Sequence, residues 1–285
     1  MINIERAKDF FVGHLRGVSI VANYMKDSDN NVLDVLIRPT CRETYMHGLF
    51  LRAAFWMLTL EKLNTPRDVQ AIQSCTRSLL EITTDMILLH NDKTKTSIRM
   101  MLYWDRSQKL HAGETMVEYY KKRNLPIPDV IEDVAEFVQN KKARIQKKRL
   151  ALWNTIRHPS RWTGNRSLLA DVIEADRQYG SAISADLKMT LEEYYETEYR
   201  RLNWFVHGSG LTGIMKLEPE IYYSICGVAF KWCSDMAMLC TKIIFTDYGL
   251  VDHLPGLKDK WLNLELSRGL AYMDQVKTPI SQDKS

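Results

Sequence analysis

Glycine and proline are scarce in this chain, with 13 and 8 among 285 residues. Long intervals without breakers favour extended helices over a turn-rich β architecture. Cysteine is too sparse to build a framework: there are five, an odd number, with no paired CxxC spacing. Neither a disulfide scaffold nor a zinc ribbon fits that count. HExxH, GxxxxGK[ST] and GxSxG are absent too, which sets aside the commonest metalloprotease, nucleotide-hydrolase and serine-hydrolase readings. Nothing in the sequence asks for a cofactor or a metal. A long uncharged apolar run is also missing. The most apolar stretch, Ile221 to Phe245, contains Lys231, Asp235 and Lys242. Each would be costly at mid-bilayer, so the stretch reads as a core helix, and no membrane partner is expected. Met1 to Asp9 carries charge where a secretory leader would be apolar, so the expected location is cytoplasmic.

What is present is helical periodicity, almost everywhere. The expectation is an all-α, multi-helix bundle of about eight helices. The first should span Ile4 to Met25, with the polar run Lys26 to Asn31 as a loop and Arg42 to Leu63 as the second helix. Thr65, Pro66 and Asp68 mark the next start, by N-cap, first-turn proline and capping box, and that helix should reach His90. Further helices are expected over Thr96 to Lys122, Asp129 to Trp153, Ser167 to Ala175, Asp186 to Val206, Glu218 to Tyr248 and Leu257 to Met273. The sharpest break is His158 to Asn165. It divides an N-terminal region, 1–157, from a C-terminal region, 158–278, the two packed as one unit, before a disordered tail at 279–285. Cys226, Cys233 and Cys240 recur every seven residues, which on a helix is one slowly drifting apolar stripe of buried thiols.

The net charge of +4 is small for the length, yet it permits a local basic patch. Lys141, Lys142, Arg144, Lys147, Lys148 and Arg149 form such a run on one helix. It reads as a solvated face, with a phosphate-facing surface as the alternative. Aromatic residues do not interleave with it, which argues against a platform for stacked bases.

The segment with most chemistry is Tyr199-Arg200-Arg201-Leu202-Asn203-Trp204-Phe205-Val206-His207-Gly208. At roughly 100° per residue, Glu196, Arg200, Asn203 and His207 share one stripe, and Arg201 lies off it. Arg and His together suit phosphodiester cleavage. A guanidinium neutralises phosphate through a planar fork of donors, and an imidazole moves a proton near neutral pH. Asn203 would orient the imidazole or bind phosphate. The plainer reading is a histidine capping a helix C-terminus beside an i,i+4 ion pair. Arg77, Glu81 and Asp85, four residues apart on another apolar helix, are either a buried ion-pair network or a line of site-facing groups. His47 with Arg52, and His90 near Asp92, read as surface or capping residues, and Trp162-Thr163-Gly164 as a loop packed under its tryptophan.

Trp162-Thr163-Gly164, Ser167-Leu168-Leu169-Ala170, Glu193-Tyr194-Tyr195, Tyr199 and Phe205-Val206-His207-Gly208 together resemble an uncharacterised bacterial all-helical family. Its signature runs Trp-x-Gly, then Tyr-x-x-x-Tyr-x-x-Ser-x-x-Val-His. Thr76-Arg77-Ser78-Leu79-Leu80-Glu81 resembles an earlier helix of that family, so the likeness covers roughly residues 65 to 210. The helix end is also similar to the HEPN superfamily, whose motif is Arg, four to six residues, then His. Arg200 and Arg201 both fit that spacing to His207. The resemblance implies a homodimer with a composite cleft, and metal-independent RNA cleavage through attack by the ribose 2′-hydroxyl. Arg200 or Arg201 would stabilise the phosphorane, His207 would act as acid or base, and Glu196, Arg77, Glu81 and Tyr199 would bind. It further implies a bacterial defence or toxin–antitoxin setting, with an antitoxin or operon partner protein. The alternative class is a non-catalytic helical interaction or ligand-binding protein.

Overall fold

A computed structural model describes residues 3–35, 40–92, 95–164, 167–179, 189–201 and 218–250. The described residues contain helices and connections and no strand, so the chain is an all-α bundle. The helices are α1 (Ile4–Val35), α2 (Cys41–Leu60), α3 (Val69–Asn91), α4 (Lys95–Lys122), α5 (Glu132–Trp153), α6 (Leu168–Tyr179), α7 (Leu191–Tyr194, extended by a π turn over Tyr195–Tyr199) and α8 (Pro219–Asp247). The chain separates into two compact units, residues 1–91 with 172–285, and residues 92–171. His158 and the segment after it lie inside the second unit. The helix expected over Leu257 to Met273, and the tail, fall outside the described residues.

One expectation fails at α1, which runs straight through the polar stretch from Lys26. Met25, Ser28 and Val32 are buried, and their i, i+3, i+7 spacing continues the helix's inner face. Ser28 gives its hydroxyl to the Tyr24 carbonyl at 2.7 Å, so its burial leaves no donor stranded. Lys26 and Asp27, between the first two, are exposed on the outer face.

Caps set the starts of α2 and α3. Thr40 and Glu43 form a reciprocal box, the Thr40 amide donating to Glu43 at 2.5 Å and the Glu43 amide to the Thr40 hydroxyl at 3.3 Å. The expected start at Thr65 is there, built as a 3-10 turn over Pro66–Asp68 that feeds α3. The Asp68 carboxylate accepts from the Thr65 amide at 3.2 Å and its hydroxyl at 3.1 Å.

The first unit is organised around α3 and α8. Thr76 meets Cys233 at 3.2 Å, Thr83 meets Cys240 at 3.3 Å, and His90 meets Asp247 at 2.6 Å. Each pair is 157 residues apart, and the pairs step by seven on both helices. The two helices therefore run parallel in heptad register, as in a left-handed coiled coil. Each threonine hydroxyl donates to the carbonyl four residues back, at 2.9 Å for Thr76 and 2.7 Å for Thr83. That spends its proton, so in each pair the thiol donates to the threonine oxygen. Burial pushes the Cys240 thiol up to about 12 and the Cys233 thiol higher still, which keeps both protonated and unreactive.

α1 lies parallel to α8 as well, Phe11 packing on Tyr223 and Phe230 and Tyr24 on Phe245 further along. Gly227 allows that approach. A Cβ there would stand 2.5 Å from the Phe10 ring and 3.4 Å from the Phe11 Cα. α2 is antiparallel to α3, so Arg42 at its start reaches the end of α3 and caps it, its Nη2 donating to the Leu89 carbonyl at 2.9 Å. The same nitrogen reaches Asp247 at 2.6 Å. Asp247 thus ties together α2, α3 and α8.

Replacing Asp247 with Ala removes the acceptor shared by Arg42 and His90. Stability in urea should fall by about 2 kcal/mol, the scale of a hydrogen bond to a charged group. A loss below roughly 0.5 kcal/mol, the range of an ordinary surface change, would show that the three helices are fastened by packing alone.

Candidate functional site at the π turn

α7 begins on a well-satisfied end. The Thr190 side chain accepts from the Glu193 amide at 3.0 Å, and Asp176 of α6 accepts from the Leu191 and Glu192 amides at 3.0 and 2.8 Å. Most of the donors left bare at a helix start are thereby used, and the carboxylate complements the dipole. One turn later the helix changes register. The Arg200 amide bonds back to the Tyr195 carbonyl, five residues away. Such π turns are rare and recur at functional sites.

The widened turn brings residues five apart onto one face. Tyr194 and Tyr199 both point inward and are buried, where a regular α-helix would set them about 140° apart. Tyr194 packs on Trp232 of α8 with ring centroids 4.4 Å apart. Tyr199 is stacked by Tyr195 at 4.7 Å with planes 16° apart, and the Arg77 guanidinium of α3 lies over its ring at 5.2 Å. The Tyr199 hydroxyl accepts from Arg77 and donates to Glu81, both at 3.3 Å. Arg77, Glu81 and Tyr199, singled out separately in the sequence, thus meet at one point.

Burial raises the Tyr199 phenol above its ordinary pKa, against the pull of Arg77. Burial also raises Tyr194, with Cys233 and Glu198 adding to the shift and Arg201 opposing it. Both phenols are therefore protonated donors at neutral pH. Among the described residues, the Tyr194 hydroxyl, the Arg77 Nε and the Arg201 Nε have no hydrogen-bond partner although all three are buried.

The two arginines part company here. Arg200 pairs with Glu196 at 2.9 Å, and its side chain is 60% exposed. Arg201 pairs with Glu198, is 40% exposed, and keeps its Nε buried beside the tyrosines. Of the stripe Glu196, Arg200, Asn203 and His207, the first two are paired across the π turn as expected of neighbours on one face. Asn203 and His207 themselves lie outside the described residues. So does Gly208-Ser209-Gly210-Leu211-Thr212-Gly213, which has GxGxxG spacing. That run follows a helix rather than a strand, so it lacks the context of a dinucleotide fingerprint.

Residues 43–220 match the model of a family of unknown function, DUF5677. The chain belongs to that family. The matched region includes Arg77, Glu81, Tyr199, Arg200, Arg201, Asn203 and His207. It leaves out α1 and all but the first residues of α8. No curated protein and no solved structure matches the chain.

The matched region also spans the second unit, which holds two further polar clusters. In one, the buried Asp171 accepts from Arg161 at 2.7 Å and Thr163 at 2.6 Å. Trp153 donates to the Trp162 carbonyl at 2.9 Å. Gly164 has φ +86°, and a Cβ there would sit 2.9 Å from the Trp153 ring. The Trp162-Thr163-Gly164 loop thus packs against Trp153 of α5, with Trp162 itself buried. In the other cluster, Arg149 donates to the Ser107 hydroxyl at 2.6 Å, and Ser107 meets His158 Nδ1 at 2.7 Å. A guanidinium only donates, so the serine oxygen accepts from Arg149 and leaves its own proton for His158 Nδ1 in the tautomer where that nitrogen accepts. Burial, then Arg149 and His111, hold the imidazole down at about 4. Ser107 has no solvent exposure, so this arrangement fixes the fold rather than presenting a nucleophile.

The depressed imidazole has a consequence for acid stability. Between pH 6.5 and 4 the unfolded chain takes up a proton at His158 that the folded chain refuses. The contribution is complete above 6.5 and is lost as pH falls through that window. Replacing His158 with Gln, which keeps an acceptor for Ser107, should flatten the pH dependence of urea stability over that range. An unchanged slope would assign the acid sensitivity to other groups.

Proposed function

We propose that the chain is a metal-independent endoribonuclease of the HEPN-like kind, with Arg201 and His207 as its reacting pair. The observation that carries this reading is the inward turn of Arg201 at the π turn. The Arg201 guanidinium keeps one unused buried donor within electrostatic reach of the protonated Tyr194 phenol, itself an unused donor, and two such donors suit developing negative charge. Arg201 and His207 are separated by five residues, which fits the motif of that superfamily. The ribose 2′-hydroxyl would attack the adjacent phosphorus and the 5′-oxygen would leave, giving a 2′,3′-cyclic phosphate. His207 would move the proton, and Arg201 would stabilise the phosphorane. Arg77 and Glu81 would hold Tyr199 and thereby the turn. A homodimer with a composite cleft, and a partner protein that restrains the activity in a defence or toxin–antitoxin setting, belong to the same proposal.

A second reading has its own support. Both arginines are already neutralised within α7, Arg200 by Glu196 and Arg201 by Glu198. An internally compensated helix suits a non-catalytic interaction or ligand-binding protein equally well.

Cleavage of a mixed-sequence RNA in excess EDTA separates the two. On the ribonuclease reading, His207→Ala abolishes cleavage and Arg201→Ala lowers the rate roughly 100-fold, the scale of losing one transition-state donor. Arg200→Ala stays within a few-fold of the wild type. No cleavage by the wild type, or equal cleavage by folded wild type and His207→Ala, would leave the interaction reading in possession.

A further inference from the structure

The small net charge conceals an uneven distribution. Between Asp92 and Asp171 there are 17 Lys and Arg against 9 Asp and Glu, a net +8. The rest of the chain has 22 against 26, a net −4. The second unit, 80 residues long, is thus strongly basic, and the first is mildly acidic.

Within the second unit α4 and α5 run antiparallel, Ser107 lying against Arg149 and Glu114 against Lys142. The basic run on α5 sorts into different roles. Arg149, expected on the solvated face, is buried and bonded to Ser107 and to the Ile156 carbonyl. Its i,i+4 partner Ile145 is buried too, and both face inward. Lys142 is paired with Glu114 at 2.9 Å. On α4, Lys109 and Lys122 are likewise paired, with Asp105 and Glu118.

Of the remaining cations, four fall together. Lys141, Arg144 and Lys148 are spaced i, i+3, i+7 on α5 and so share one face, spread over about 10 Å. Lys148 lies 5.6 Å from the centre of the Tyr103 ring of α4, and Arg106 lies 5.2 Å from the same ring. Two cations on one ring join the α5 face to its neighbour on α4. All four residues are exposed, and none has a carboxylate partner among the described residues.

We infer that Arg106, Lys141, Arg144 and Lys148 form a phosphate-binding surface by which the second unit holds RNA without regard to sequence. The choice of RNA rests on the ribonuclease reading above; the surface itself rests on the uncompensated charge. Tyr103 is engaged by two cations, and no aromatic residue lies between Lys141 and Lys148, so the contact proposed is to phosphates rather than to stacked bases. A membrane surface fits less well. A helix that lies on lipid sets apolar residues opposite its cations at the interface, whereas Leu150, the exposed apolar residue of α5, stands about 200° from Lys148.

The test uses the full chain and a labelled 2′-O-methyl RNA strand, which cannot undergo attack by its own 2′-oxygen, so that binding is read apart from cleavage. Binding of the wild type should weaken steeply with salt and be the same for mixed and homopolymer strands. In R106Q/K141Q/R144Q/K148Q, affinity at low salt should fall at least tenfold. The slope of log K against log salt should flatten by about 3, at roughly 0.7 for each phosphate no longer neutralised. The control K109Q/K122Q/K142Q removes three paired lysines and should weaken binding much less. If the quadruple variant melts early, Arg144→Glu alone, at an exposed position, should still weaken binding several-fold.

No binding by the wild type, equal weakening in quadruple variant and control, or binding to phosphatidylserine vesicles in preference to RNA would each overturn the inference. The two proposals fail separately. Charge-dependent binding without cleavage removes the ribonuclease and keeps this surface. Cleavage with binding indifferent to the four residues does the reverse.

Discussion

The parallel register of α3 and α8 is the constraint on which the first unit depends. Two parallel helices put both of their C-termini at one end, where unsatisfied carbonyls and negative dipole ends accumulate. Arg42 answers them: it caps the carbonyls of Leu89 and His90, and both Arg42 and the His90 ring close on Asp247. At the opposite end the two N-termini border one open hollow of about 610 Å³, lined by Pro66, Arg67, Pro219 and Tyr223 among others. Acidic side chains sit in both first turns, Asp68 and Glu220. At the C-terminal end Arg42 both caps carbonyls of α3 and neutralises Asp247 of α8, which helps the two parallel ends to lie together.

α7 takes its position from the same pair. Tyr194 packs on Trp232 of α8, while Tyr199 is held by Arg77 and Glu81 of α3. An ordinary α-helix cannot direct two tyrosines five residues apart inward at once. The π turn resolves that conflict, and it sets the phase of the residues after it, so that Arg201 rather than Arg200 keeps its Nε buried. The register of one helix pair is in this way transmitted to the orientation of Arg201.

Much of this is legible in the residues. The spacing of Cys226, Cys233 and Cys240 marks the buried seam, and one more step of seven reaches Asp247. The same step from Thr76 and Thr83 reaches His90, so the fastening at the bundle's end was present as a pattern of two matching heptads. The helical continuation through Lys26 and Asp27 is legible too, because Met25, Ser28 and Val32 keep the spacing of the inner face. The π turn is not. Its cause is a competition between two tertiary contacts, and a periodicity of 3.6 residues fits the sequence on either side. Arg149 shows the same limit from the other direction: it continues a basic run in composition, and only its phase with Ile145 turns it inward.

Charge read over a whole chain averages over parts that do different work. From Glu192 to Arg201 there are four carboxylates and two guanidinium groups, and each arginine is held by one of those carboxylates. Such a segment exerts little pull on phosphate beyond the screening distance, about 8 Å at physiological ionic strength. On the ribonuclease reading, affinity for the polyanion must therefore come from elsewhere in the chain, and the net surplus of cations lies between Asp92 and Asp171. A total of +4 is then the sum of two opposed charges, one where RNA would be gripped and one where it would be cut. On that reading the near-neutral total does not weigh against a nucleic-acid substrate, because a basic part and an acidic part cancel in the sum.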